Sequence, residues 1–219
     1  MGVDSFKKSN LIINMGVFIF GRMNPPTKGH KALIEAAKNK RINKSVPVYV
    51  FVTATQRLPN NPLFVNEKKK ILNAMFKNDP NVVIVPLQPN KTGITNAMRI
   101  MNEQHGVTPT ILVLGQNRIN KGSFKFVNQM GVRRVSGGNR NLSSTTSTGG
   151  QLNIKNISAT KAREAAVKGG NFNRFMNTNK VPKSLLNETA QKIRNRTLSA
   201  PVKRSASASA SRPAKRTKR

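Results

Sequence analysis

The chain has 219 residues, with 39 Lys+Arg against 7 Asp+Glu, a formal net charge of +32. That length suits one α/β domain with a tail to spare, and 37% apolar residues in periodic segments argue against wholesale disorder. Having no cysteine excludes a disulfide framework, a zinc finger and a thiol nucleophile, and two histidines with seven acids are too few for a multi-carboxylate metal cage.

Residues 1–13 are basic and unpatterned and read as a flexible lead. Asn14–Gly21 (NMGVFIFG) predicts a buried strand ended by glycine. A proline turn (RMNPPT) leads into a helix over Lys28–Lys40, with Leu33, Ile34, Ala36 and Ala37 as its apolar stripe. Val46–Thr53 is a second strand, followed by a polar, proline-broken loop to Leu63. Asn66–Lys77 is amphipathic, with Ile71, Leu72, Met75 and Phe76 at helical spacing, and its Lys68-Lys69-Lys70 run reads as a solvated face. A third strand is expected at Val82–Pro86, a third helix over Thr92–Gln104 capped by Thr92, and a fourth strand at Thr110–Leu114. His105 falls in a polar linker and reads as exposed. A short helix near Phe124–Met130 and a strand at Val132–Val135 complete the alternation.

Strands alternating with helices predict a doubly wound parallel sheet of Rossmann-like type, with helices on both faces. Ligands of such sheets bind beyond the carboxyl ends of the strands, which puts the loops after Phe20 and Leu114 on the functional edge. Ser136–Gly150 is rich in Gly, Ser and Thr and reads as a mobile loop. Ser158–Lys168 resumes helical patterning, with two short helices expected before Arg196. The predicted organisation is a lead over 1–13, an α/β domain over 14–180, a helical extension over 181–196 and a disordered basic tail over 197–219. No run approaches 18 apolar residues and the N-terminus carries no signal-peptide pattern, so the chain is expected to be intracellular and off the membrane.

Two segments suit phosphate. In Gly16–Lys31 a strand ends at Gly21-Arg22, a turn through Met23 and Asn24 follows, and Thr27-Lys28-Gly29-His30 opens a helix. A first helical turn presents unpaired N–H groups and a partial positive charge. Gly29 would let a ligand approach the backbone, and His30 would donate to a phosphoryl oxygen or stand as an ordinary surface residue. In Asn156–Arg163 (NISATKAR), Ser158, Thr160 and Arg163 open another helix and form a second anion site, although Ser158 also reads as a plain N-cap.

Together these segments resemble the nucleotidyltransferase superfamily, whose strand ends G-x-F-x-P, followed by (H/T)-x-G-H and later I-S-x-T-x-x-R. Here they stand as GRMNPPTKGH at 21–30 and ISATKAR at 157–163. The stretch TATQRLPNNPL at 53–63, with the helix after it, is similar to a T-Q-x-x-x-x-N-P-L segment of phage and large-virus members. The resemblance implies a Rossmann-like core and transfer of a nucleotidyl group, most plausibly adenylyl, from a nucleoside triphosphate to a phosphate-bearing acceptor such as nicotinamide mononucleotide. It implies Thr27, His30 and Arg163 as catalytic contacts. Gly21, Arg22, Met23, Asn24, Lys28, Gly29, Gly115, Asn117, Arg118, Ser158 and Thr160 would bind the nucleotide, with Mg2+ held mainly by its phosphates. One departure stands out: the family's G-x-D after the fourth strand is Gly115-Gln116-Asn117 here, followed by Arg118, so an acid has become an amide.

The charge is not confined to the tail. Residues 181–219 hold 11 basic residues and 1 acid, leaving 28 basic against 6 acidic, a net of +22, in residues 1–180. Such a domain repels itself unless a polyanion or salt neutralises it. The 27 asparagines keep the capping and turn chemistry of aspartate without its charge. Lys203-Arg204 and Lys215-Arg216-Thr217-Lys218-Arg219 resemble a bipartite nuclear-import signal or a polyanion-binding arm. One tyrosine and no tryptophan argue against a base-stacking single-strand binder. The alternative function is therefore a catalytically degenerate transferase fold reused to bind or package nucleic acid, in a nucleus or a virion interior.

Overall fold

The computed structural model describes residues 14–138, 144–145, 151–152 and 157–200. The expected lead over 1–13, part of the Ser136–Gly150 stretch and the tail from 201 onward lie outside the described residues.

Five strands, β1 Met15–Gly21, β2 Val48–Val52, β3 Val82–Pro86, β4 Thr108–Leu114 and β5 Arg133–Ser136, form one parallel sheet in the order β3-β2-β1-β4-β5. Helices α1 Lys28–Lys38, α2 Val65–Met75, α3 Ile94–His105 and α4 Gln116–Asn120 connect them, with a 3-10 turn at Lys125–Met130 before β5. After the sheet come a short antiparallel pair, β6 Ser144–Thr145 with β7 Gln151–Leu152, then α5 Ala159–Lys168, a 3-10 turn Phe172–Phe175 and α6 Lys183–Leu198.

Near-continuous apolar strands follow from burial on both faces. One face sets Val17, Ile19, Val50 and Val113 against Ile34 of α1, Ile71 of α2, Ala162 of α5 and Leu186 of α6. The other sets Phe18, Tyr49, Phe51 and Leu112 against Ala97 and Met101 of α3 and against Val127. Gly16 leaves room for close packing on the sheet: a Cβ there would stand 2.1 Å from Met101 Cε of α3 and 2.3 Å from Val107 Cγ1.

Several expectations need correction. The third helix starts at Ile94 with Gly93 as its N-cap, because Thr92 stands one residue outside the turn. Helix α4 follows Gly115 directly where only a loop was expected, and the Phe124–Met130 segment is a 3-10 turn. Beyond α5 one long helix runs to Leu198, past the expected end of the helical extension at 196. The Ser136–Gly150 stretch is not wholly irregular, since Ser136 ends β5 and Ser144–Thr145 pairs with β7. Lys68 is fully buried rather than solvated. His105 is exposed as expected, but its ring lies 4.7 Å from that of Tyr49.

Helix α6 is held by one carboxylate. Glu67 caps α2 by accepting from the Phe64 N–H (2.9 Å), and its two oxygens take both guanidinium nitrogens of Arg196 while Lys192 sits 3.0 Å away. Arg196 also donates to Pro62 O and lies 4.4 Å over the Phe64 ring. Burial raises the Glu67 pKa, but the bonds from Arg196, Phe64 and Lys192 outweigh it and hold the carboxyl below its ordinary range. A carboxyl so lowered contributes stability that is full above about pH 4.3 and lost as pH falls through its lower folded value. Glu67→Gln is expected to cost about 2 kcal/mol at neutral pH and to flatten the acid limb of the stability curve. Urea unfolding between pH 3 and 7 checks this, and parallel curves for the two proteins would refute it.

Candidate functional site

The chain winds from β1 outward to β2 and β3, then crosses back to place β4 on the other side of β1. At that reversal the connections leave the sheet in opposite directions and open a crevice at the carboxyl edge. A cleft of about 450 Å³ occupies it, walled by Ile19–Gly21 of β1 and Val113–Gly115 at the end of β4.

Of the residues singled out in the sequence, Gly21, Arg22, Met23, Asn24 and His30 line this cleft from the first segment. Ser158, Thr160 and Arg163 line it from α5, and Gly115 and Arg118 from the β4 end. The cleft therefore joins residues more than 130 positions apart. Thr27, Lys28, Gly29 and Asn117 are not among its walls. Asn60, Asn61 and Leu33 are, and the sequence reading did not assign them to the site. The signal for the two asparagines was present in the N-N-P-L stretch at 60–63, which folds back so that Arg57 and Asn61 exchange backbone bonds of 3.3 and 2.7 Å.

The turn after β1 is fixed from several sides. Met23 takes a left-handed backbone (φ 43°), a sparsely populated conformation for a non-glycine residue. Buried Asn24 donates from Nδ2 to Leu63 O (3.0 Å) and accepts at Oδ1 from Leu63 N–H (3.1 Å), which ties the turn to the NNPL loop. Its side chain is thus engaged by protein, and its backbone carbonyl accepts from Arg163 Nη1 at 2.6 Å.

Thr27 is buried and works through His30. The Thr27 N–H donates to His30 Nδ1 at 3.1 Å, and Thr27 Oγ1 lies 2.9 Å from the same nitrogen. A ring nitrogen that accepts carries no proton, so the neutral imidazole bears its hydrogen on Nε2. Thr27 itself is not among the cleft walls and reaches them through His30, which is. Ser158 is an N-cap, with Oγ accepting from Lys161 N–H (3.1 Å), and it lines the cleft as well. A Cβ at Gly29 would meet nothing nearer than Ile157 O at 3.6 Å, and at Gly21 nothing nearer than Met23 at 3.8 Å, so protein packing demands neither glycine.

All the ionic side chains in the lining are cationic. Arg163 is half-buried and anchored, bonding Asn24 O and, at 3.2 Å, Thr160 Oγ1. Burial pushes its pKa down, and the nearby Arg22 guanidinium pushes the same way against a weaker pull from Glu164. Arg22 and Arg118 are exposed. No cluster of three or more His, Cys, Asp or Glu able to hold a metal exists among the described residues. The walls can hold a polyanion by charge and by the N–H groups of the first turn of α5. The His30 tautomer is directly measurable: long-range 15N–1H spectra, assigned with the help of His105→Gln, should show a proton on Nε2. A proton on Nδ1 would overturn the assignment.

No protein-family model matches the chain, and no curated protein matches it. Solved structures do. A bifunctional NMN adenylyltransferase/ADP ribose pyrophosphatase from Francisella tularensis, complexed with AMP and a manganese ion, superposes with a TM-score of 0.57 at 16% identity, covering 84% of this chain and 52% of that one. The same Francisella enzyme in a second structure gives 0.59 at 16% identity, covering 84% and 53%. Plasmodium falciparum nicotinic acid mononucleotide adenylyltransferase, complexed with NaAD, gives 0.53 at 13% identity, covering 80% and 94%. This chain spans about half the length of the Francisella enzyme. By fold, it is built as these nucleotidyltransferases are, on the Rossmann-like core of the NMN and nicotinic acid mononucleotide adenylyltransferases.

Proposed function

We propose that this chain transfers a nucleotidyl group, adenylyl first among them, from a nucleoside triphosphate to a phosphate-bearing acceptor. The observation that carries the reading is the cleft at the strand reversal. Its ionic groups are all cationic, and its histidine is set by Thr27 to donate from Nε2. An acceptor phosphate oxygen attacks the α-phosphorus, the new O–P bond forms, and the bond to the β-phosphate oxygen breaks to release pyrophosphate. No protein nucleophile is needed, so the residues act by positioning and by neutralising charge that grows on the leaving pyrophosphate.

In this reading His30 donates to a phosphoryl oxygen of the transition state, Arg163 and the first turn of α5 hold the outer phosphates, and Arg22 and Arg118 close on them from the rim. The similarity to adenylyltransferase folds supports adenylyl transfer, and in this reading the acceptor is a phosphomonoester. Among the described residues no carboxylate lines the cleft, so these walls do not supply the donor set a hard cation prefers. Magnesium would arrive with the triphosphate, whose charge it screens. Pyrophosphate release from Mg·ATP with nicotinamide mononucleotide, phosphopantetheine and, with CTP, phosphocholine tests the reading. His30→Ala is expected to lower kcat/KM about 10²–10³-fold, and absence of release with every acceptor would refute it.

A second reading, nucleic-acid binding, is favoured by how the acids are used. Every acid among the described residues faces a base: Glu35 and Asp79 meet Lys38, Glu67 meets Arg196, Glu103 meets Arg99 and Glu188 meets Lys192. Glu164 acts on Arg163. Apart from buried Lys68, most of the surplus basic charge is thus left to the surface, where it would neutralise backbone phosphates without reading sequence. Duplex DNA affinity should fall with salt at a log–log slope of several units, and become weaker on removal of residues 197–219. A flat salt response would dismiss it.

A further inference from the structure

Among the described residues, Lys68 is a buried cation with no ionic partner. Its side chain is fully buried on α2, and of its three ammonium hydrogens one has a protein acceptor, Thr53 O. No carboxylate among the described residues pairs with it: Glu67, beside it in sequence, is bound to Arg196 and Lys192. The charged group acting on it from the elements packed around it is Arg22, which carries the same sign. Thr53 Oγ1 is also buried and without a hydrogen-bond partner among the described residues. A buried ammonium in this setting is destabilising, because desolvation is not offset by an opposite charge. A methionine of similar length would fill the same space without that cost.

The position of the charge suggests what offsets it. Thr53 directly follows β2, and its N–H donates to Gly21 O at 3.1 Å, so the ammonium lies two hydrogen bonds from a cleft wall. Arg22, which couples to it, lines that cleft. We infer that Lys68 is a positioning residue of the cleft, a charge held beneath the β1–β2 edge that an anionic ligand completes from above. The inference rests on the nucleotide reading, and it adds a residue that does not touch the ligand.

Two consequences follow. Removing the charge relieves the unliganded fold while weakening the ligand. Moreover, burial first and Arg22 second push the lysine's pKa down to about 8, where solution pH can switch the charge. Anion affinity is then full below that value and lost as pH rises through it. If the charge contributes about tenfold to affinity, binding raises the pKa by about one unit, and roughly half a proton is taken up near pH 8.5.

The test is calorimetric titration of the full chain with Mg·ATP from pH 7 to 9.5, in buffers of different ionisation enthalpy, for wild type and Lys68→Met. Wild type should bind about tenfold more tightly at pH 7 than at pH 9.5 and take up roughly half a proton midway. Lys68→Met should melt no lower than wild type, bind about tenfold more weakly at pH 7 and lose both the pH slope and the proton uptake. A variant that binds as wild type does, whether or not it melts lower, overturns the inference and leaves the nucleotide reading intact. Wild type that binds no Mg·ATP overturns both. Should Lys68→Met fail to fold, the wild-type proton uptake decides, and its absence overturns the inference.

Discussion

The reversal of strand order beside β1 is the constraint on which the rest depends. Because β1 pairs with β2 on one side and β4 on the other, its carboxyl end cannot be covered by a single connection. The turn through Arg22–Asn24, the first turn of α5 and the start of α4 all converge on the gap. Each element brings either an arginine or a set of backbone N–H groups, and none brings an acid. The fold thus makes the cleft by topology, and the sequence decides its charge.

Charge is also what ties the fold to its periphery. With so few acids, some do more than one task. Glu67 caps α2, receives Arg196 and Lys192 and so fastens α6 to the NNPL loop, while that loop fastens the turn after β1 through Asn24 and Leu63. The C-terminal helix is therefore linked to the cleft rim through one carboxylate and one buried amide. Asp79 and Glu35 do the same for the far end of α1 through Lys38, which burial alone would make easier to deprotonate but whose pKa these two acids raise. The remaining acids sit where the fold uses them, and the cleft is where acids are missing.

Strands and the principal helices were legible in the sequence because burial on both faces of a parallel sheet writes itself as continuous apolar runs, and helices as stripes. The two phosphate-type segments were legible because each is local: a strand, a turn and a helix start within a dozen residues. That these segments share one cleft depended on the strand order, which periodicity does not encode. Lys68 shows the limit most clearly. In the sequence it is one of three consecutive lysines, and only the rotation of α2 against β2 separates it, buried, from exposed Lys70. Thr27 was legible as a helix opener but not as the residue that sets the histidine's tautomer. At 16% identity to a matching structure, the fold is shared while most residues differ.

Asn117 belongs in this frame. The resemblance leads one to expect an acid there, and the structure puts the amide on the exposed first turn of α4, outside the cleft walls, one residue before Arg118, which lines them. A carboxylate at 117 would stand beside that guanidinium and draw on its charge. The amide keeps the polarity a helix start accepts and leaves Arg118 unopposed. The same scarcity of acids gives a net charge of +22 over residues 1–180 and, among the described residues, a cleft free of carboxylates. The cleft lining and the bulk of the chain thus share one character, an excess of cationic over acidic side chains.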